Sequence, residues 1–163
     1  MAASGGKDSL TTLHLLNLYS QKKRNISLIA ISIDEGIKGY RDETLERVKK
    51  FCKDNDIKLY IYSFKKEFGF TLDQAVKKLK EKGIKPCSVC GVFRRYLLNK
   101  YSRRLKIDRL ATGHNLDDEA QAILMNQFRN NVEVNARLGP ITGVVEHKGF
   151  VKRIKPLYFL TEK

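Results

Sequence analysis

The chain has 163 residues, 42% of them hydrophobic, which is enough to bury the core of one domain but too few for two large ones. Its 32 lysines and arginines outnumber 18 acidic residues, and this formal charge of +14 indicates a polyanionic partner such as nucleic acid. The sequence contains no apolar run long enough to span a bilayer and no signal peptide. This argues against a membrane partner and predicts a cytoplasmic protein.

Helices and strands are predicted to alternate along the chain. Hydrophobic spacing predicts helices over residues 9–20, 41–55, 71–83, 91–105 and 117–129, and strands over residues 26–33, 58–64 and 108–112. The strand at residues 26–33 is apolar on both faces, as expected of a parallel strand buried between helix layers. We therefore expect an α/β fold with a mostly parallel sheet and helices on both of its faces.

Both ends of the sequence are expected to be incomplete. Residues 1–3 are too few for an ordinary strand of five or six residues, and the final stretch "RIKPLYFLTEK" ends in what is predicted to be a connection. We expect residues 1–163 to be a fragment of one domain that lacks most of its first strand.

The stretch "ASGGKDS" forms a glycine-rich turn between that strand and the first helix. Backbone N–H groups converge at such a turn and the helix dipole favours negative charge, so the turn is suited to phosphate. Gly5 and Gly6 remove Cβ atoms that would keep phosphate oxygens from the backbone. Lys7 supplies a positive charge, and Ser4 and Ser9 supply hydroxyl donors. Asp8 supplies a carboxylate. Asp8 is suited either to a helix cap or to Mg²⁺.

A second turn, "TGHNLDDEAQ", follows the strand at residues 108–112 and opens another helix. Gly113 is predicted to allow close approach of a nucleotide, and Asn115 to cap the helix. Three acids follow where a cap needs only one, and a carboxylate facing the phosphate turn would hold Mg²⁺: these are Asp117, Asp118 and Glu119. For His114, a structural hydrogen bond and an active-site contact remain open alternatives.

A cysteine pair, Cys87 and Cys90, lies in "PCSVCGVFRR" just before the predicted helix 91–105. Such a pair is typical of half a zinc site, a redox dithiol or part of an iron–sulfur ligand set. The odd count of three cysteines argues against a disulfide framework, and no second pair completes a zinc site. Cys52 is predicted to be a core residue of the helix at 41–55.

These motifs together resemble one family. "SGGKDS" resembles the PP-loop of the ATP pyrophosphatases, which split ATP between its α and β phosphates. Combined in order with "IDEGIKGYRDE", "PCSVCGVFRR", "TGHNLDDEAQ" and "RIKPL", it resembles the tRNA 2-thiouridine synthetases of archaea, thermophilic bacteria and the eukaryotic cytoplasm. The resemblance covers essentially the whole chain and implies a PP-loop domain with a five-stranded parallel sheet. It also implies adenylation of the C2 oxygen of a tRNA uridine with ATP and Mg²⁺, followed by displacement of AMP by sulfur.

The resemblance also implies roles for particular residues. The ATP phosphates would be bound by the turn that comprises Ala3, Ser4, Gly5, Gly6, Lys7, Asp8 and Ser9. The backbone near Ile33 would contact the adenine edge, and Gly113 and Asp118 would line the nucleotide site, with Asp118 also a Mg²⁺ ligand and a catalytic residue. Arg94 occupies the position of a basic catalytic or ATP-contacting residue that is often lysine in the family.

Cys87 and Cys90 match the pair that in this family ligates a [4Fe–4S] cluster or handles sulfur directly. An open iron position would bind hydrosulfide, whereas a persulfide and disulfide cycle would use the same two residues, and both mechanisms remain open. The family's third cluster cysteine and its flanking zinc-binding segments are not in this sequence. A homodimer is implied as well. The sulfur donor (a ubiquitin-like carrier, a persulfide or sulfide) and the choice of wobble or T-loop uridine are left open.

A basic cluster on the helix at 91–105 is predicted to contact tRNA through Arg95, Lys100, Arg103 and Arg104. Two alternative functions remain. The tRNA cytidine 2-thiolases share the turn and the cysteine pair, although "NLDDE" after Gly113 and His114 favours the uridine group. A non-catalytic module that binds tRNA or a nucleotide is the alternative from a different class.

Overall fold

Helices and strands alternate along the chain as predicted. The computed structural model describes residues 1–81, 83–142 and 149–162. The elements in this part of the chain are α1 (Lys7–Lys22), β1 (Ile29–Asp34), α2 (Arg41–Asp54), β2 (Lys58–Ser63), α3 (Phe64–Phe68), α4 (Leu72–Glu81), α5 (Pro86–Arg104), β3 (Arg109–Ala111), α6 (Leu116–Phe128), α7 (Val132–Asn135), β4 (Ile141–Thr142) and β5 (Lys152–Ile154). The α/β class is therefore confirmed. None of the described helices has the length and apolar character needed to cross a membrane.

The strands form two sheets, which residues 1–3 connect. β1 pairs with β2 in parallel, while β5 pairs in parallel with β3 and antiparallel with β4. On one side, the N–H of Ile31 donates to the carbonyl of Met1 (2.8 Å), and the N–H of Ala3 donates to the carbonyl of Ile31 (2.8 Å). On the other side, the N–H of Ala2 donates to the carbonyl of Ala111 (2.9 Å). Residues 1–3 therefore lie between β1 and β3. The five-stranded parallel sheet stays a prediction, because the described strands pair regularly in groups of two and three and β4 is antiparallel.

β1 is buried on both faces, as its sequence predicts. Ile31 packs on one side in a cluster with Phe64 and Leu97, all with no exposed surface. Ala30 packs on the other side with Leu13 and with Cys52, which is 2% exposed. The prediction that Cys52 is a core residue is confirmed, and the carboxyl end of a well-buried strand is a rigid base for a site.

α5 begins earlier than predicted. The sequence prediction started this helix at Gly91 and left both cysteines before it, whereas the helix begins at Pro86 and contains Cys87 and Cys90 within its first five residues. Proline is favoured at the first helical position because its missing N–H would have no helical partner there. The predicted start at residue 91 was therefore wrong by five residues.

Two further elements differ from the prediction. The short helix α3 follows β2 directly, and Arg153 and Ile154 of "RIKPL" belong to strand β5, whereas residues 155–162 contain neither a helix nor a strand. The predicted start of α4 is confirmed, since the N–H of Gln74 donates to Thr71 Oγ1 (3.3 Å) and the N–H of Thr71 donates to Gln74 Oε1 (3.0 Å). The predicted helix extends to Gly83 and includes residue 82, which lies outside the described residues.

Candidate functional site

The glycine turn leads from residues 1–3 directly into α1. The Ser9 hydroxyl accepts the N–H of Ser4 (2.9 Å) and that of Gly5 (3.3 Å), which closes the turn on itself. Gly5 has a φ of +90°, and a Cβ added there would lie 2.2 Å from the Thr44 carbonyl oxygen on α2. A Cβ on Gly6 would meet nothing nearer than Ser4 Oγ at 3.7 Å. Packing and conformation therefore require glycine at position 5, while position 6 has room for a methyl group.

The second turn packs directly on the first one. A Cβ on Gly113 would lie 2.9 Å from the backbone nitrogen of Ser9 and 3.0 Å from the carbonyl oxygen of Asp8. The sequence prediction attributed Gly113 to the approach of a nucleotide, and the structure adds the close contact of the two turns as a reason for glycine. This contact brings the N-termini of α1 and α6 side by side, so that the positive ends of both helix dipoles face the same space.

α6 begins with a reciprocal cap. The N–H of Asp118 donates to Asn115 Oδ1 (2.9 Å), and the N–H of Asn115 donates to Asp118 Oδ2 (3.1 Å). The predicted cap at Asn115 is confirmed. One carboxylate oxygen of Asp118 is thereby used in the helix, and the other is available to a ligand.

We expect the Asn115→Ala variant to be less stable by about 1 kcal/mol, because a first-turn N–H loses its side-chain acceptor. Asn131 is the matched control, since it precedes α7 without a side-chain cap. Urea unfolding should show a loss for Asn115→Ala and a change within about 0.5 kcal/mol for Asn131→Ala. Equal stability of the two variants would contradict the role of the cap.

The three acids of this turn have different contacts. Asp117 Oδ2 accepts the N–H of Glu162 (2.6 Å). Glu119 is 3% exposed and pairs with Lys155 at 2.5 Å, so it is part of the protein interior. Asp118 is the one of the three that lines the pocket described next.

A cavity of about 290 Å³ lies between the two turns and α5. The predicted site residues that line it are Ala3, Ser4, Gly6, Asp8, Ser9, Ile33, Arg94, Gly113 and Asp118. Among the predicted catalytic, ATP-binding and metal-binding residues, those that do not line it are Gly5, Lys7, Cys87 and Cys90. A small cavity with two helix N-termini and convergent polar groups at one end is suited to a phosphorylated ligand.

Lys7 is directed toward the far end of the described chain. Its Nζ lies 2.6 Å from Glu162 Oε1, and the side chain is 61% exposed. This hydrogen bond raises the pKa of Lys7, so the ammonium stays charged. Because an exposed pair of this kind contributes little free energy, an incoming phosphate would compete with Glu162 for Lys7 at small cost.

The cysteine pair lies next to the cavity. Cys87 is exposed and Cys90 is buried, and Nη2 of Arg94, one helical turn later, donates to Cys90 Sγ (3.4 Å). Burial raises the pKa of the Cys90 thiol, and the neighbouring guanidinium of Arg94 opposes that increase. Arg94 thus connects the thiols to the cavity that it lines.

The donor set of this pair fits two ligands of an iron–sulfur cluster. Thiolates are the usual ligands of such clusters, and Cys87 and Cys90 are separated by three positions at one helix N-terminus. Within residues 1–81, 83–142 and 149–162, no group of three or more His, Cys, Asp or Glu side chains is placed to hold a metal. Cys52 lies in the other core cluster and supplies no third ligand.

Sequence reasoning missed two charged residues of the site. Glu35 and Arg41 are each 4% exposed, and Glu35 pairs with Arg41 Nε at 3.1 Å and with Arg94 Nε at 2.8 Å. The sequence feature that could have indicated them is the stretch "IDEGIKGYR", in which charged residues follow a buried strand. His114 also lines the cavity, with Nδ1 3.0 Å from Thr112 Oγ1, so both of its alternatives remain.

The predicted tRNA residues all lie on α5 and are exposed. Arg103 and Arg104 are in its last turn, and Arg95 precedes them by two turns. Lys100 differs from them because its Nζ pairs with Glu67 Oε2 at 2.8 Å. Its charge is therefore partly compensated within the protein, and the arginines supply most of the free positive charge of this face.

Two helix N-termini of the kind that binds phosphate lie on either side of a small cavity, one after residues 1–3 beside β1 and one after the parallel strand β3. This arrangement defines an α/β nucleotide-binding domain. Comparison with known families makes the assignment specific. The family described as the PP-loop domain matches residues 1–162, and the chain belongs to it. The identification of the PP-loop from the sequence is confirmed.

Several similar proteins are named for sulfur transfer or for tRNA thiolation. A probable sulfurtransferase of Methanocaldococcus jannaschii is 47% identical over 163 residues, covering 98% of this chain and 47% of that protein. Cytoplasmic tRNA 2-thiolation protein 1 of Danio rerio is 39% identical over 165 residues, covering 100% of this chain and 47% of that protein. The chain thus spans about half the length of these relatives.

One solved structure is similar over nearly the whole chain. It is described as the U34-tRNA thiolase NcsA from Methanococcus maripaludis with its [4Fe–4S] cluster. The TM-score is 0.86 at 46% identity, and the match covers 99% of this chain and 51% of that one. The resemblance to tRNA thiolation proteins that the motifs indicate is confirmed.

Proposed function

We propose that the protein is a tRNA-uridine 2-sulfurtransferase that consumes ATP and releases AMP and pyrophosphate. The observation that carries this proposal is that Arg94 lines the cavity between the two turns and also donates to Cys90. A nucleotide site and a thiol pair are therefore separated by one side chain. The PP-loop domain implies ATP, and thiols beside an ATP site favour sulfur transfer over other adenylation chemistry.

In the proposed reaction, the C2 oxygen of uridine attacks the α-phosphorus of ATP, the new O–P bond forms, and the α–β anhydride bond breaks to release pyrophosphate. Hydrosulfide then attacks C2 to form the C–S bond, the C2–O bond breaks so that the oxygen leaves as part of AMP, and the proton of the hydrosulfide passes to solvent. The backbone N–H groups in the first turn of α1 would bind the phosphates. Asp8 and Asp118, which line the cavity, would hold Mg²⁺ together with phosphate oxygens. The guanidinium of Arg94 would stabilise negative charge that develops during either step.

For sulfur delivery, Cys87 and Cys90 would hold a [4Fe–4S] cluster, with remaining ligands from outside the described residues. Such a cluster, when bound, supplies an iron position for the incoming sulfur. The exposed thiol of Cys87 faces solvent, and the buried thiol of Cys90 faces Arg94, so the pair joins the surface to the cavity.

We further propose that the target is the wobble uridine, because the similar NcsA protein is described as a U34-tRNA thiolase. A cytoplasmic location is proposed from the relatives named cytoplasmic tRNA 2-thiolation protein 1. The homodimer is proposed from the sequence resemblance alone, and a ubiquitin-like carrier, a persulfide and sulfide stay alternative sulfur donors. Residues 1–3 bond to both β1 and β3, which supports a five-stranded parallel sheet with this segment at its centre.

The test is an anaerobic assay with full-length protein, reconstituted with iron and sulfide, and with ATP, Mg²⁺ and tRNA that lacks thiolation. We expect AMP, and not ADP, to form only in the presence of tRNA, with 2-thiouridine appearing in digested tRNA. Detection of 2-thiocytidine would replace the uridine assignment. Binding of tRNA without AMP formation would contradict an enzyme and favour a binding module.

The basic face gives a separate prediction. Reversing two charges in Arg103→Glu/Arg104→Glu should weaken tRNA binding by about tenfold or more and reduce the slope of log K against log salt, because two phosphate contacts are lost. Lys50→Glu/Lys53→Glu on α2 is the matched control, since it changes net charge equally at exposed positions. Equal weakening by both pairs would show that only total charge matters and would contradict the footprint on α5.

A further inference from the structure

Glu35 is a buried carboxylate held between guanidinium groups from two different helices. It directly follows β1, is 4% exposed, and lines the cavity. Its Oε1 lies 2.8 Å from Arg94 Nε on α5, and its Oε2 lies 3.1 Å from Arg41 Nε on α2. Removing a carboxylate from water costs free energy unless cations compensate for it, so both arginines are needed to keep Glu35 buried.

Arg41 attaches this carboxylate to the glycine turn. Its Nη1 donates to the carbonyl oxygen of Ser4 (2.5 Å) and to Thr44 Oγ1 (3.1 Å), and its Nη2 donates to Ser32 Oγ (2.6 Å). The Ser32 hydroxyl in turn donates to the carbonyl of Ala3 (2.7 Å). Arg41 therefore has three partners besides Glu35, and its position does not depend on that carboxylate alone.

Arg94 depends on Glu35 much more strongly. Its side chain is 47% exposed, and its described partners are Glu35, at 2.8 Å, and Cys90 Sγ, at 3.4 Å. A contact with a thiol sulfur is a weak hydrogen bond, whereas the contact with the carboxylate is an ion pair between opposite charges, one of them buried. An arginine loses much rotamer entropy when it is held in one conformation, so the stronger partner determines where it stays.

We infer that Glu35 is a positioning residue, which holds the Arg94 guanidinium between the nucleotide cavity and Cys90. This inference rests on the proposed function, because Arg94 is the group that would act there. On one side the carboxylate pairs with Arg41 of α2, which bonds to the glycine turn, and on the other side it pairs with Arg94 of α5. It thereby sets the distance between the part of the site that binds ATP and the part that carries the thiols.

The Glu35→Gln variant should affect the two arginines differently. The amide keeps the shape but carries no negative charge, so it forms an ion pair with neither guanidinium, and its NH₂ group meets one of them donor to donor. Arg41 retains its other three bonds, and Arg94 is released. We expect kcat for tRNA-dependent AMP formation to fall by about tenfold or more, with KM for ATP changed by less than about threefold, because the glycine turn stays in place.

A double-mutant cycle tests whether Glu35 acts through Arg94. The effects of Glu35→Gln and Arg94→Ala on kcat should not add, because the first variant has already removed the positioned guanidinium. Glu43→Gln, on the exposed face of α2 where Glu43 pairs with Arg47, is the control and should leave kcat unchanged. Additive losses in the cycle would overturn the inference, because Glu35 would then act independently of Arg94.

Two further measurements separate this inference from folding and from the proposed function. Glu35→Asp keeps the charge but is one methylene shorter, so it should remain folded and still lose part of kcat; wild-type kcat in this variant would overturn the inference. Modification of Arg94 by phenylglyoxal, mapped by mass spectrometry, needs no turnover. It should be about threefold or more faster in Glu35→Gln than in wild type, and equal rates would overturn the inference even if no AMP were formed.

Discussion

Replacing Gly5 with alanine is expected to destabilise the protein by about 2–4 kcal/mol, since it combines backbone strain with overpacking of the core. Gly5 has a φ of +90°, and the added Cβ would lie 2.2 Å from the Thr44 carbonyl oxygen and 2.8 Å from its carbonyl carbon. These are backbone atoms of α2, which cannot rotate away as a side chain would. Either α2 or the glycine turn must move, so we expect ATP affinity to fall together with stability.

Gly6→Ala is the matched control for this prediction. Gly6 has ordinary helix N-cap angles, with φ −77° and ψ 166°, and its nearest neighbour to an added Cβ is 3.7 Å away. Its free energy of unfolding should therefore change by less than about 0.5 kcal/mol. Because Gly6 lines the cavity, the methyl group should still reduce ATP affinity. Urea unfolding and calorimetric titration with ATP measure both quantities, and equal stability of the two variants would contradict the assignment of Gly5.

Local patterns in the sequence predicted much of the fold and of this site. The capping box at Thr71 and the cap at Asn115 are formed by residues three positions apart, so their geometry follows from the sequence alone. The glycine turn and the second turn were placed correctly at helix starts for the same reason. The contact between those turns at Gly113 was not predictable, because it depends on how distant segments pack.

Long-range pairing explains most of what the sequence did not reveal. Glu35 and Arg94 are far apart in the chain, and no local pattern indicates that a carboxylate after β1 will meet a guanidinium on α5. The same holds for Lys7, which was predicted to contact phosphate but pairs with Glu162 in the structure. Charged residues that directly follow a buried strand, as in "IDEGIKGYR", are a usable signal for the first case, since the strand end places them inside the fold.

The cysteine pair carries the second large prediction. Cys87→Ser and Cys90→Ser should each reduce formation of 2-thiouridine by about 100-fold or more, because a hydroxyl replaces neither a cluster thiolate nor a persulfide. AMP formation in the presence of tRNA should change by much less, since adenylation of uridine uses no thiol in the proposed reaction. Nucleoside analysis and AMP quantification on the same samples measure the two steps separately.

The two serine variants should differ in stability even though they share this loss. Cys87 is exposed, so its replacement should change the free energy of unfolding by less than about 0.5 kcal/mol. Cys90 is buried in the cluster around Phe64 and Leu97, and placing a polar hydroxyl among these apolar side chains should cost about 1–3 kcal/mol. The control is Cys52→Ala, which should be destabilised by its cavity and keep thiolation, because Cys52 lies in the other core cluster. Unchanged thiolation in Cys87→Ser would reject both the cluster and the persulfide mechanism, and loss of thiolation in Cys52→Ala would show that instability alone accounts for the effect.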